Sequence, residues 1–126
     1  MHYNSFRDMP VWQKAHKLVI RIWRITEKFP KDDKYTLVKQ LRSSVLSISA
    51  NIAEGFGRFH SLDKVKFYLN SRGSLQETIS HLCAARDLGR LNSKEYTEMS
   101  DDLSGVRMDL NKLIKRIRSR KPQPQS

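Results

Sequence analysis

The sequence predicts an all-α fold, an antiparallel up-down-up-down four-helix bundle, from three observations. Apolar residues recur at alternating spacings of three and four in four separate segments. No stretch shows the period of two that a half-buried strand requires. The segments are joined by short connections, which pack consecutive helices antiparallel. At 126 residues the chain is the size of one domain with one core.

The first helix is expected over about residues 11–29. Its seam is Val11, Ala15, Leu18, Ile22, Ile25 and Phe29, with Asp8 as a cap and Pro10 near the first turn. Pro30 lacks a donor and restricts Phe29, which ends it. The second, about residues 34–56, carries Val38, Leu41, Val45, Ile48, Ile52 and Phe56, with Gly55 and Gly57 around its end. The third, about residues 62–88, has Ser61 as a candidate cap, buries Val65, Tyr68, Leu75, Ile79 and Leu82, and stops at Gly89. The fourth, about residues 93–118, opens on Asn92 and Glu95 at capping-box spacing. Tyr96, Met99, Leu103, Val106, Leu110, Leu113 and Ile117 follow. Residues 1–9 read as an N-terminal arm, 10–118 as the bundle, and 119–126 as a polar, proline-broken, disordered basic tail.

Charge is the strongest functional signal. Twenty-four Lys and Arg stand against thirteen Asp and Glu, a net charge of +11. Such a field attracts polyanions: RNA, DNA, an anionic membrane or an acidic protein. On the first helix Lys14, Lys17, Arg21, Arg24 and Lys28 repeat at three-four spacing beside the core face. At the end of the fourth, Lys112, Lys115, Arg116, Arg118, Arg120 and Lys121 exceed what a helix dipole explains. Both groups are candidate phosphate contacts, because Lys and Arg displace counterions from a polyanion. The plainer alternative is a solvated basic surface.

Two further groups are distinctive. Trp12, His16, Val19 and Trp23 widen the apolar arc of the first helix and mark a candidate oligomer interface, unless the rings merely cap the core edge. The second helix carries a polar line, Gln40, Ser43, Ser47, Asn51 and Glu54. Asn51, Glu54, Gly55 and Arg58 within it read as a structural motif, with Glu54 pairing to a cation such as Arg58 or Arg72.

Enzyme chemistry finds no foothold. A lone Glu54 is not an acid–base pair. His2, His16, His60 and His81 have no metal-ligand spacing, so no metal and no cofactor are expected. Gly55-Phe56-Gly57 lacks the preceding strand and third glycine of a phosphate loop. Cys83, the single cysteine, reads as a small buried hydrophobe and suits a reducing compartment. With no apolar run near ~20 residues and no apolar leader, the expected location is cytoplasmic.

Several segments together are specific. They are Val11-Trp12-Gln13-Lys14-Ala15, Gln40-Leu41-Arg42-Ser43-Ser44, the run from Ser47 through Asn51-Ile52-Ala53-Glu54-Gly55 to Arg58, Gly73-Ser74-Leu75-Gln76-Glu77 and Ala84-Ala85-Arg86-Asp87-Leu88-Gly89. Over about residues 6–118 the chain resembles the four-helix-bundle family first named for reading frames inside intervening sequences of 23S ribosomal RNA genes. One branch of that family serves as the accessory variability protein of diversity-generating retroelements. The resemblance implies a homopentameric ring. For the retroelement branch it also implies RNA, and DNA as a further polyanion, together with a reverse transcriptase partner. It brings no catalytic residues. Where members commonly carry Pro, this chain has Ser49, which implies a straighter second helix. The functional expectation is a non-enzymatic, basic, oligomeric nucleic-acid-binding adaptor. The alternative is a protein-interaction bundle with no nucleic-acid role.

Overall fold

A computed structural model of the chain describes residues 2–120, which hold four long helices and no strand. Helix α1 spans Pro10–Thr26, α2 Lys39–Gly57, α3 Ser61–Asp87 and α4 Ser93–Ser119. They run up, down, up, down around one core that includes Ile22, Leu41, Ile48, Ile52, Leu75, Leu82, Met99, Leu103 and Leu110. Most of the expected seam residues are in it. Lys121 and the residues after it lie outside the described residues, whereas Ser119 and Arg120, expected in that tail, are the last residue of α4 and its C-cap.

Helix boundaries have local causes, and four differ from expectation: the caps of α1 and α3, the start of α2, and the end of α1, which falls at Thr26 rather than Phe29. Asp8 does not cap α1. It belongs to a short 3₁₀ turn, Phe6–Asp8, whose own cap is Ser5, with the Arg7 amide donating to Ser5 Oγ at 3.1 Å. Met9 takes the cap position in an extended conformation because a residue before proline is pushed out of the helical region. Ser61 is likewise the first helical residue of α3, and the extended His60 precedes it as cap. The connection into α2 is a 3₁₀ turn, Lys31–Asp33, followed by a wide π turn, Lys34–Val38, so regular helix begins five residues later than expected. Asn92 and Glu95 form both bonds of the capping box, at 2.7 and 3.0 Å. At the end of α3, Gly89 has φ +78°, and the amides of Gly89 and Arg90 return to the carbonyls of Arg86 and Ala85. These are the two bonds of a Schellman ending.

Two caps come from neighbouring helices. Arg42 of α2 donates to the Trp23 carbonyl and to Thr26 Oγ1 at the end of α1, with its guanidinium 5.0 Å from the Trp23 ring centre. Lys64 of α3 donates to the carbonyls of Gly55 and Phe56 at the end of α2. A cation at a helix C-terminus satisfies orphan carbonyls and the negative end of the dipole together.

The α2–α3 contact is built on small polar residues. Ser71 Oγ donates to the Ile48 carbonyl, Thr78 Oγ1 meets Ser44 Oγ, and Ser47 Oγ meets Ser74 Oγ, all within 2.8–2.9 Å. The expected α3 seam is corrected accordingly: Ser71 and Thr78 are fully buried between Tyr68, Leu75 and Leu82, while Ile79 is half-buried. Hydroxyls that bond to nearby carbonyls and to each other enter a core without an unsatisfied group. Where the seam of α4 nears its end, Ile114 is buried at 3% exposure and Leu113 is only partly covered.

Candidate nucleic-acid interface

Packing divides the bundle into two electrostatic ends. Contacts between helices set the level of each residue along the axis: Ser71 with Ile48, Ser47 with Ser74, Arg107 with Gln76, and Arg21 with Asp102. Beyond these levels in one direction lie residues 2–17, 50–72 and 107–120, with thirteen Lys and Arg against four Asp and Glu. In the other direction lie residues 18–49 and 73–106, with ten against nine. Nearly all of the net charge therefore belongs to the end that gathers the start of α1, the end of α2, the start of α3 and the end of α4.

The two cation groups expected from the sequence are placed differently by this arrangement. Within the α1 stripe, Lys14 pairs with Asp109 at 2.7 Å, and Arg21 pairs with Glu98 at 2.7 Å beside Asp102 at 3.8 Å. The Arg21 guanidinium holds the Glu98 carboxyl below the usual carboxylate range. These pairs are partly exposed, and solvent screening leaves such pairs little effect on stability. Their effect is on the field: the acids of α4 neutralise two of the five cations. Lys17, Arg24 and Lys28 make no ion pair among the described residues, and they line a shallow surface cleft with Glu95.

The end of α4 divides between two faces. Arg116 and Arg120 turn toward the N-terminal arm and the start of α3, where they share a cleft with Lys64. Lys112 joins Lys14 and Arg116 in an adjoining cleft bounded by Tyr3, Met9 and Pro10. Lys115 and Arg118 face another side, beside Arg72 and Asn111. Arg72 donates to Asn111 at 2.9 Å and takes no part in binding Glu54. Lys64, which the sequence reading missed, is thus a member of the basic cluster. Its position inside an amphipathic helix carries no local mark of that role.

The Asn51–Arg58 segment acts structurally. Glu54 pairs with Arg58 one turn on, and Asn51 Nδ2 donates to the Ser47 carbonyl at 2.8 Å. Gly55 is buried against Tyr68, and a Cβ built on it would fall 2.7 Å from Tyr68 Cε1. The glycine is what lets α2 and α3 approach at the basic end. Arg58 lies over the Phe67 ring at 4.7 Å. Phe59 and Leu62, in and just after the connection between these helices, are each 86% exposed. No helical spacing marks them, so the sequence reading passed over them.

The residues expected at an oligomer interface are largely used within the chain. Val19 is a core residue at 7% exposure and offers no surface. Trp12 is half-buried, stacked on His16 at 4.7 Å and edge-on to Phe6 at 5.1 Å. Trp23 is half-buried beneath Arg42. Cys83 is partly covered, with Sγ 3.3 Å from the Tyr96 hydroxyl. Among the described residues no cluster of His, Cys, Asp and Glu is arranged to hold a metal ion, and no helix is long and apolar enough to cross a membrane.

No curated protein sequence matches the chain. A solved structure of a protein with unknown function from the S23 ribosomal protein family of Bacteroides thetaiotaomicron VPI-5482 is similar, with a TM-score of 0.78 at 22% identity. The alignment covers 83% of this chain and 95% of that one, and it shows a shared fold. The sequence profile of the 23S rRNA-intervening sequence proteins matches residues 7–112, which span all of α1, α2 and α3 and most of α4. The chain belongs to the 23S rRNA-intervening sequence protein family.

Proposed function

We propose that the protein is a non-catalytic nucleic-acid-binding adaptor that grips RNA, or DNA, with the basic end of its bundle. The observation that carries this reading is the axial division of charge, thirteen cations against four acids at one end and ten against nine at the other. A randomly basic surface gives the field no direction. A one-ended surplus positions a phosphate backbone and leaves the other end for a second contact. The reading extends to a homo-oligomer, a pentamer by the resemblance already described, of about +55 in total charge before counterions are retained. Its protein partner in this reading is a retroelement reverse transcriptase, supported by the resemblance of the motif segments.

A second reading draws on Phe59 and Leu62. Two large apolar side chains left open at the connection between α2 and α3 and the start of α3 suit a protein partner, and a bundle that binds only protein would need no phosphate contacts.

Binding of the purified protein to a structured RNA across a salt series separates the two. With about six phosphate contacts, affinity should fall roughly 10³-fold between 50 and 200 mM salt, linearly on logarithmic axes. Absence of binding at 50 mM would overturn the nucleic-acid reading and leave the protein-docking one.

A further inference from the structure

The basic end encloses a cleft whose chemistry is more specific than a charged surface. It has a volume of about 600 Å³ and lies between the start of α3, the end of α4 and the N-terminal arm. Lys64, Arg116 and Arg120 supply three cations, and no carboxylate is among the residues that line it. None of the three makes an ion pair among the described residues, in contrast to Lys14, Arg21 and Arg90.

We propose that this cleft binds a phosphorylated nucleoside, with Lys64, Arg116 and Arg120 around the phosphate and Tyr3 and Phe56 beside the base. The inference deepens the nucleic-acid reading and rests on it where the nucleoside is the end of a strand. The same chemistry is offered by a free nucleotide.

Four features support it. First, Lys64 is held in place rather than free to turn to solvent: Nζ donates to the Phe56 carbonyl at 2.8 Å and to the Gly55 carbonyl at 3.2 Å. An ammonium has three donors, so one remains for a ligand. Second, burial and the nearby charge of Arg120 hold the Lys64 pKa below that of a free lysine. An anion between the two reverses both effects. Third, the Tyr68 ring is buried, yet its hydroxyl has no bonding partner among the described residues and is not itself sealed from solvent. Tyr68 lines this cleft, and burial pushes its pKa up to about 12, so it remains a neutral donor at every physiological pH. Fourth, the charge balance favours a terminal phosphate. A phosphomonoester carries about −1.5 to −2 at neutral pH, against a single charge on an internal diester, and is the closer match to three clustered cations. The volume lies within the roughly 300–1,000 Å³ of small-ligand sites.

The test uses the full chain, titrated calorimetrically with adenosine 5′-monophosphate, with adenosine, and with single-stranded decanucleotides that bear or lack a terminal phosphate at either end. The monophosphate should bind at least about tenfold more tightly than the nucleoside, the difference expected of one charge-assisted contact set. Arg116→Gln with Arg120→Gln should erase that difference and leave the melting curve unchanged. Lys64 is kept because it caps α2. A phosphorylated strand that outbinds its hydroxyl twin identifies the ligand as a strand end. Monophosphate binding without any end preference identifies a free nucleotide. Equal binding of nucleotide and nucleoside, or binding of neither, overturns the proposal, even if long RNA still binds with a steep salt dependence. Loss of RNA binding with monophosphate binding retained would instead overturn the nucleic-acid reading alone.

Discussion

The two ends of the bundle are built from the same four helices yet are held together by different means. At the charge-balanced end, the two connections are tied to each other: Asp33, nearly buried, takes a 2.6 Å bond from Arg90 Nε. The Schellman ending at Gly89 and the capping box at Asn92 stand beside it. Four cations there, Arg21, Arg86, Arg90 and Lys94, pair with acids, and polar groups close on one another. At the basic end the closing contacts are steric and backbone-directed instead: Gly55 under the Tyr68 ring, and Lys64 on the carbonyls of α2. Apart from Lys64 on those carbonyls and the Lys14–Asp109 and Arg58–Glu54 pairs, the cations of that end make no ion pair among the described residues. A fold that leaves most cations of one end without an acid keeps that set available for binding.

That contrast is open to direct attack. The largest effect should come from reversing charge at each end in turn. Lys112→Glu with Arg116→Glu should weaken RNA binding tenfold or more and lower the logarithmic salt slope by about 2. Lys31→Glu with Lys34→Glu, the same charge change at the balanced end, should do far less to either quantity. Equal losses from the two pairs, measured by fluorescence anisotropy, would mean that net charge alone governs binding and that the axial division is incidental.

Steric closure of the basic end is tested within one motif. Gly55→Leu must displace the buried Tyr68 ring and should lose about 1–3 kcal/mol in urea unfolding. Gly57→Ala, with open space where its Cβ would sit, should be neutral or slightly stabilising, since alanine is favoured over glycine in helices by roughly 1 kcal/mol. If both variants behave alike, close approach at Gly55 is not what shapes this end.

The smallest effect is expected at the balanced end. Asn92→Ala removes the side-chain half of the capping box and should lower stability by about 1 kcal/mol, with RNA affinity unchanged. A matching fall in affinity would show that the two ends are coupled and that the division drawn here is too sharp.

Parts of this arrangement were legible in the linear chain. The seam residues Ala15, Ile22, Leu41, Ile48, Leu103 and Leu110, the box at Asn92 and Glu95, and the stop at Gly89 all follow from near neighbours in sequence. The candidate site was legible only as a composition. Lys112, Arg116 and Arg120 could be picked out as cations, whereas the third cation of the inner cleft, Lys64, and the exposed Phe59 and Leu62 could not. Nothing in the spacing of α1 shows that Lys14 will be neutralised by Asp109, ninety-five positions away.

By itself, then, the sequence determined four amphipathic helices, their antiparallel order and a large positive charge. Periodicity, caps and short connections act within a turn or a few residues, and net charge is a sum that needs no geometry. The tertiary structure alone decided where that charge is spent. Acids of α4 met cations of α1, hydroxyls of α2 and α3 found one another in the core, and Gly55 drew α3 against α2. Three cations were thereby left around one cleft without an acid. Those outcomes depend on which distant residues share a level along the bundle, and Coulomb and hydrogen-bond energies act over a few ångströms of space rather than along the chain.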